Sequence, residues 1–399
     1  MSAASTPPPS YGQQRQSEVY LSGLSGQRPA LPVAPAALEQ AANAAMTREV
    51  SGYLDGMPST MHTNEKAFQR WRIVPRMLRD IAQRDLRVEL FGAHYPAPML
   101  LAPIGVQSIV HADGELGSAR AAASLGLPFI ASTASTAPLE QVAHVMGTAP
   151  RWFQLYWSKD PAFNASVVSR AERAGYSAIV VTLDTFLLAW RPRDIENAYL
   201  PFLLGQGLGN YFTDPTFRAA LAKPPEDDPQ TAILHWMQIF GNPSLTWNDL
   251  RVLRDQTRLP ILLKGILHPD DARRALDAGM DGVVVSNHGG RQVEGAIASL
   301  DALPAITEAV QGRIPILLDS GIRCAADVLK ATALGARAVL LGRLYMWGLA
   351  LGGEAGVREV LRNMLADLDL TLGLSGYTSF TQLNPSALVR VQAESARSF

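Results

Sequence analysis

Cysteine is almost absent: Cys324 is the only one in 399 residues. An internal disulfide and a cysteine-rich zinc site are thereby excluded, no metal site is expected, and the usage fits a reducing cytosol. No run approaches the ~20 consecutive apolar residues of a membrane-spanning helix. An excess of one charge is missing too. The 35 basic and 36 acidic residues leave a formal charge of -1, which is no footprint for nucleic acid or an anionic membrane. The stretch Met1–Ser17 lacks the basic start and apolar centre of a signal peptide. Its Ser, Pro and Gln content predicts a disordered tail, placed at residues 1–34. Together these absences predict a cytoplasmic protein.

What is present is a 47% hydrophobic chain, enough for a large core. From Pro98 onward, eight short apolar runs recur: Met99–Ala102, Pro128–Ala131, Trp152–Tyr156, Ala178–Thr182, Ile261–Leu263, Val283–Val285, Ile316–Leu318 and Val339–Leu341. Nearly continuous apolar character suits parallel strands buried on both faces. Between them lie segments of helical period, among them Gly114–Leu125, Leu139–Met146, Ala162–Ala174, Pro269–Ala278 and Ala325–Leu334. Gly126, Gly175, Gly279 and Gly335 serve as stops. Eight strands alternating with helices predict an α/β fold, a (β/α)8 TIM barrel over residues 98–380. A doubly wound sheet would want a glycine-rich phosphate loop after its first strand, and Ala102–Gly105 is not one.

Thr182 and Ile261 are separated by far more chain than one crossover helix needs. The excess, residues 192–242, predicts an insertion at the C-terminal rim. Its aromatic and Pro/Gly content suggests a packed lid. Residues 35–97 are expected to form a helical extension and lid, with Ala36–Tyr53 as one amphipathic helix, and residues 381–399 a C-terminal tail.

Polar residues just past barrel strands converge on one mouth. Here they are Pro103, Ile104 and Gly105 after the first run, Ser132 after the second, and Gln154 with Tyr156 at the third. The fourth supplies Thr182, Asp184 and Arg191, and the fifth Lys264. The sixth supplies Ser286, His288 and Arg291, the seventh Asp319, Gly321 and Arg323, and the eighth Gly342 and Arg343. Three groupings have chemical logic. Glycines beside Arg323 and Arg343 make a phosphate site. His288 with Asp184 is a base held by a carboxylate. Arg191 and Arg291 can clamp a substrate carboxylate, while the Lys264 ammonium can neutralise charge developing on a cofactor edge. His111, His235 and His268 are expected to be structural or on the surface. Asp319 could instead cap a helix, and Arg323 could lie on the surface.

The run Ser286–Asn287–His288–Gly289–Gly290–Arg291–Gln292 resembles the signature of the FMN-dependent α-hydroxy acid oxidases and dehydrogenases. The likeness runs from about Tyr53 to Tyr377. Within that family it is most similar to the lactate 2-monooxygenase group, through Ala102–Val106, Thr182–Thr185, Trp190–Asp194, Asn210–Tyr211, Thr213–Pro215 and Lys264–Ile266. The resemblance implies FMN as cofactor and oxidation of a small L-2-hydroxy acid, with O2 as acceptor in the monooxygenase group and a homo-oligomer, commonly a tetramer. His288 would take the hydroxyl proton, by a hydride or a carbanion route, and Asp184 would orient it. Arg191 and Arg291 would hold the carboxylate, with Tyr53 and Tyr156 hydrogen-bonding the substrate. Lys264 would sit by the flavin N1–O2 edge. Pro103, Ile104, Gly105, Ser132, Gln154, Thr182 and Ser286 would line the flavin, and Asp319, Gly321, Arg323, Gly342 and Arg343 would bind ribityl and phosphate. In the monooxygenase outcome the keto acid is retained and decarboxylated by peroxide. The alternatives are an oxidase or dehydrogenase that releases it, and a catalytically silent flavin-binding module. The chain departs from the family pattern in a shorter turn after Tyr53, in Leu344, and in the small Ala134 where many oxidases carry a bulky residue.

Overall fold

The computed structural model describes residues 10–391. The ends of the two expected tails, residues 1–9 and 392–399, lie outside them. Eight parallel strands close a barrel: β1 (Met99–Leu101), β2 (Phe129–Ser132), β3 (Arg151–Tyr156), β4 (Ile179–Thr182), β5 (Ile261–Ile266), β6 (Gly282–Val285), β7 (Ile316–Leu318) and β8 (Ala338–Leu341). All eight apolar runs became strands, and β8 pairs back onto β1 with Val339 opposite Met99.

Alternation along each strand splits the apolar residues into two cores. Leu100, Ile130, Trp152, Val180, Leu262, Val284, Leu317 and Leu340 fill the barrel interior. Their neighbours Leu101, Phe153, Val181, Leu263, Val285 and Leu318 face the surrounding helices. A hairpin, Val88–Leu90 with Ala93–Tyr95, closes the lower end, placing Val88, Leu90 and Tyr95 in the inner core. Because both faces are buried, no polar alternation marks these strands in the sequence.

The crossover helices begin and end close to their predicted bounds, for example Leu139–Met146 and Pro269–Asp277. His268 caps the second of these through Nδ1, accepting the Asp270 N–H at 3.1 Å. No helix among the described residues is long and apolar enough to cross a membrane.

Three expectations need correction. Residues 10–34 are not a disordered tail, because Tyr11–Leu24 is a helix opened by a Ser10–Gln13 capping box. It is docked by polar contacts rather than apolar burial. Gly12 N–H donates to Asp369 at 2.9 Å and Arg15 Nε donates to Asn363 at 3.0 Å, so a composition rule scores the segment as unfoldable. The expected single helix at Ala36–Tyr53 is two, Pro35–Ala45 and Arg48–Leu54, because Thr47 caps a new start. The C-terminal segment is likewise ordered as far as it is described: Leu388–Arg390 pairs antiparallel with Trp71–Ile73.

The insertion forms Pro192–Glu196, Pro201–Leu204, Gly209–Phe212, Pro215–Ala219 and Pro229–Ile239. It shares an aromatic core with the barrel's outer layer. Tyr211 stacks on Phe163 at 4.5 Å, and Trp236 lies 4.9 Å from both Phe202 and Phe240. Asn210 fastens it to β2, donating to the Ser132 and Thr133 carbonyls at 3.1 Å.

Candidate active site

The strand ends bring the predicted polar residues to one rim. Immediately beyond β6, His288 has a left-handed backbone (φ 58°), a strained conformation for a non-glycine residue. Three hydrogen bonds hold it there: His288 N–H to Ser286 Oγ at 3.0 Å, Gly289 N–H to Ser320 Oγ at 2.9 Å, and Gly290 N–H to Asn287 Oδ1 at 3.1 Å. The turn thus aims the imidazole across the mouth. Its Nδ1 lies 2.7 Å from Asp184 Oδ1. Asp184 can come so near because β5 bulges at Gly265 (φ 107°), where a Cβ would stand 2.9 Å from that of Asp184.

Burial alone would raise the Asp184 carboxyl, but the His288 and Lys264 charges beside it outweigh that and hold it at about 2. Burial also pushes His288 below its ordinary value, aided by Lys264 and Arg291 and opposed by Asp184. At neutral pH the pair is therefore imidazole and carboxylate, with Nδ1–H facing the acid and Nε2 free to accept a proton. Lys264 is buried at the end of β5, 3.1 Å from Asp319 and 2.9 Å from Ser286 Oγ. Burial works against its charge, but Asp319 and Asp184 outweigh this and raise its pKa. Asp319 caps no helix; its partners are Lys264 and Ser320.

Arg291 stands over the Tyr53 ring at 5.0 Å and donates from Nη2 to the Tyr53 carbonyl at 2.7 Å. Its Nε is buried without a partner. Arg191 donates from Nε to the Arg291 carbonyl at 3.0 Å and from Nη2 to Gln292 at 2.9 Å. Burial, and then Arg291, bring its pKa down to about 10. Two adjacent, buried guanidinium groups favour an anion between them. Tyr53, Tyr156, Arg191, His288 and Arg291 line one chamber with Gly105 and Ala134. The shortened turn after Tyr53 therefore does not remove that residue from the site.

A second cavity shares Pro103, Ile104, His288 and Arg291 with this chamber and runs on past Lys264 and Asp319 to Gly321, Arg323, Gly342 and Arg343. Its residues fit a flavin mononucleotide. Arg323 and Arg343 with the glycine backbone suit one phosphate, and Lys264 is a fixed cation beside the ring space. At the ends of β3 and β4, Gln154 Nε2 and Thr182 Oγ1 are buried with no partner, an orphan donor pair suited to the polar edge of an isoalloxazine. Ser132 supports this edge, donating to Gln154 Oε1 at 3.0 Å. Arg323 is seated over Trp347 rather than on the open surface.

Sequence reasoning missed several residues that shape the site. Asn64 and Asn287 exchange two hydrogen bonds at 2.9 and 2.7 Å, tying the His288 turn to the helix Pro58–Gln69. Gln292 braces Arg191 and the Asp184 carbonyl. Leu188, Leu200, Phe202 and Phe240 wall the chamber. Asn287 and Gln292 carried a signal from their place in the run around His288, and Leu200 and Phe202 from the aromatic run of the insertion, but none was given a role.

The sequence model of the FMN-dependent dehydrogenases matches residues 42–390. Among curated relatives, an L-lactate oxidase of Lysinibacillus sphaericus is 45% identical, over 94% of this chain and 96% of the relative. The FMN-dependent alpha-hydroxy acid dehydrogenase qulF of Penicillium citrinum is 42% identical, over 96% of this chain and 97% of the relative. Among solved structures, mandelate oxidase with (S)-4-hydroxymandelic acid superposes with a TM-score of 0.80 at 38% identity, over 91% of this chain and all of the other. A closed eight-stranded barrel, a base-and-carboxylate pair with two arginines at its mouth, and these likenesses along nearly the whole chain lead to one conclusion: the protein belongs to the FMN-dependent dehydrogenase family, enzymes that oxidise α-hydroxy acids.

Proposed function

We propose that the chain oxidises an L-2-hydroxy acid in the chamber between Tyr53, Arg191 and Arg291, with His288 as the base. The observation that carries this reading is the 2.7 Å His288–Asp184 pair, facing the same chamber as both arginines. FMN, when bound, accepts the substrate's two electrons and passes them on. Everything else falls to the protein. Arg291 and Arg191 hold the carboxylate. Tyr156, buried and kept protonated by that burial and then by Asp184, donates a hydrogen bond to the substrate, as does Tyr53. His288 Nε2 takes the hydroxyl proton, and Asp184 stabilises the imidazolium that results. Lys264 balances negative charge at the cofactor ring.

We further propose the lactate 2-monooxygenase outcome, in which the keto acid stays and meets hydrogen peroxide formed from O2, giving the shortened carboxylic acid, carbon dioxide and water. The enclosing wall of Leu200, Phe202 and Phe240 supports retention. A second reading, simple release of keto acid and peroxide, draws on the L-lactate oxidase relative. A cytoplasmic location is proposed from the composition and a homotetramer from the resemblance alone.

A panel of 2-hydroxy acids, followed by anaerobic flavin bleaching and then by product analysis in air, tests both levels. Ala134 is a small residue in the chamber wall, so substrates longer than glycolate should be preferred by about fourfold per added methylene, on the order of 0.8 kcal/mol each. Glycolate outperforming every larger acid would end the size argument. Carbon dioxide should accompany oxidation by the parent. In Gly209→Ala, peroxide and keto acid should appear instead, because a Cβ there would stand 2.2 Å from the Thr136 carbonyl and lift the insertion. Stoichiometric peroxide from the parent would make the enzyme an ordinary oxidase. The insertion cannot simply be cut out for this test, since Tyr211 and Trp236 are buried core.

The pH profile of kcat/KM should rise from an acid limb to a broad plateau. Its acid limb lies below the ordinary histidine value of 6.5, because His288 is shifted down and works unprotonated, so activity falls as pH drops through its lowered pKa. On the alkaline side activity holds well past neutrality, because Arg191, although burial and then Arg291 lower its pKa, keeps the charge that holds the carboxylate. An acid limb above 7 would identify a different base.

A further inference from the structure

The N-terminal extension surrounds the two arginines of the phosphate cavity with acids. Glu65, on the helix Pro58–Gln69, meets Arg323 Nη2 at 2.8 Å. Arg323 is otherwise held over the Trp347 ring at 4.9 Å and by the Ile322 carbonyl at 3.1 Å. Glu39, half-buried on the helix Pro35–Ala45, acts electrostatically on both Arg323 and Arg343, and Asp55 acts on Arg343 while pairing with Arg193. Arg343 has no carboxylate in direct contact; it donates to the Leu54 and Gly289 carbonyls at 3.1 and 2.9 Å. None of the three acids comes from a barrel strand end. Each lowers the positive potential that would draw a phosphate dianion into the cavity.

We propose that Glu65 is a competing counter-ion for the FMN phosphate, holding the Arg323 guanidinium until the phosphate claims it and so setting cofactor affinity below what the two arginines alone would give. The inference rests on placing the phosphate at Gly321, Gly342, Arg323 and Arg343. Glu65 is a positioning residue in this sense: it acts on the cofactor only through Arg323.

The test is titration of the apoprotein with FMN, and separately with riboflavin, which lacks the phosphate, followed by quenching of flavin fluorescence. Glu65→Gln keeps an acceptor for Arg323 and removes only the charge. It should tighten FMN about fivefold, the scale of a partly exposed ion pair, and leave riboflavin unchanged. The gain should shrink in high salt and vanish when Arg323 is already Gln. If Glu65→Gln binds FMN no better or more weakly than the parent, or tightens riboflavin equally, the proposal is overturned; weaker binding would mean that the pair aligns Arg323 instead of competing for it. The Arg323→Gln variant alone separates the two levels. Unchanged FMN affinity there removes the phosphate placement and the proposal with it. Weakened FMN without a gain in Glu65→Gln removes the proposal only.

Discussion

His288→Gln is expected to bind FMN like the parent and to lose reduction by substrate by about two to four orders of magnitude. Glutamine is the informative replacement. It fills similar space, and its amide can donate to Asp184, so the carboxylate that His288 helps hold at about 2 is not left buried and bare. The left-handed turn is kept by Ser286, Asn287 and Ser320 rather than by the imidazole, so the backbone has no reason to move. What is lost is the unprotonated Nε2. Anaerobic mixing with substrate, watched by flavin bleaching, reads this directly. Bleaching at near-parent rate would show that another group is the base. Loss of bound flavin would show that the turn had collapsed, and the catalytic question would then pass to Asp184→Asn, which should slow reduction with FMN retained.

The second large effect is expected at the arginines, and the geometry ranks them. Arg291→Lys should raise the Kd for oxalate by about one to two orders of magnitude, the cost of a charge-assisted hydrogen-bonded fork of about 1.5–3 kcal/mol. Lysine keeps the charge but offers a point donor where a planar carboxylate wants two parallel N–H groups. Arg191→Lys should cost less. Its Nε and Nη2 are already spent on the Arg291 carbonyl and Gln292, whereas the buried Nε of Arg291 has no protein partner. Oxalate titration of the flavin spectrum measures both. Parent-like binding in both variants would dismiss the clamp, and a larger loss at Arg191 would reverse the ranking and make Arg291 the supporting partner.

Much of the fold was legible along the chain, and the reason is local. A strand buried on both faces must be apolar at successive positions, and a helix between strands must be apolar every three to four. Both patterns are written by near neighbours, so seven of the eight strands and most crossover helices could be placed to within a residue or two; β5 runs three residues past its apolar run, through Lys264 and the Gly265 bulge to Ile266. The inventory of the mouth followed from the same geometry. In a parallel barrel every strand ends on one rim, so polar residues just past the apolar runs had to gather, and His288, Asp184, Lys264 and Arg291 did. The motif around His288 added that its turn was glycine-rich, though not that the histidine itself is left-handed.

What lay beyond the sequence depends on partners hundreds of residues away. The helix Tyr11–Leu24 exists because Gly12 and Arg15 meet Asp369 and Asn363, and no local rule scores a contact of that range. The pairing of Asn64 with Asn287, the bracing of Arg191 by Gln292, and the seat of Glu65 on Arg323 have the same origin. The insertion shows the division most clearly. Its aromatic content announced a packed segment, but which aromatic residues wall the chamber and which join the core was settled only when Phe163 and Tyr211 came to stack. Periodicity alone determined the barrel and the rim of chemistry upon it. Tertiary contact decided how tightly each charged group is held, because burial and the distance to an opposite charge belong to the folded chain alone.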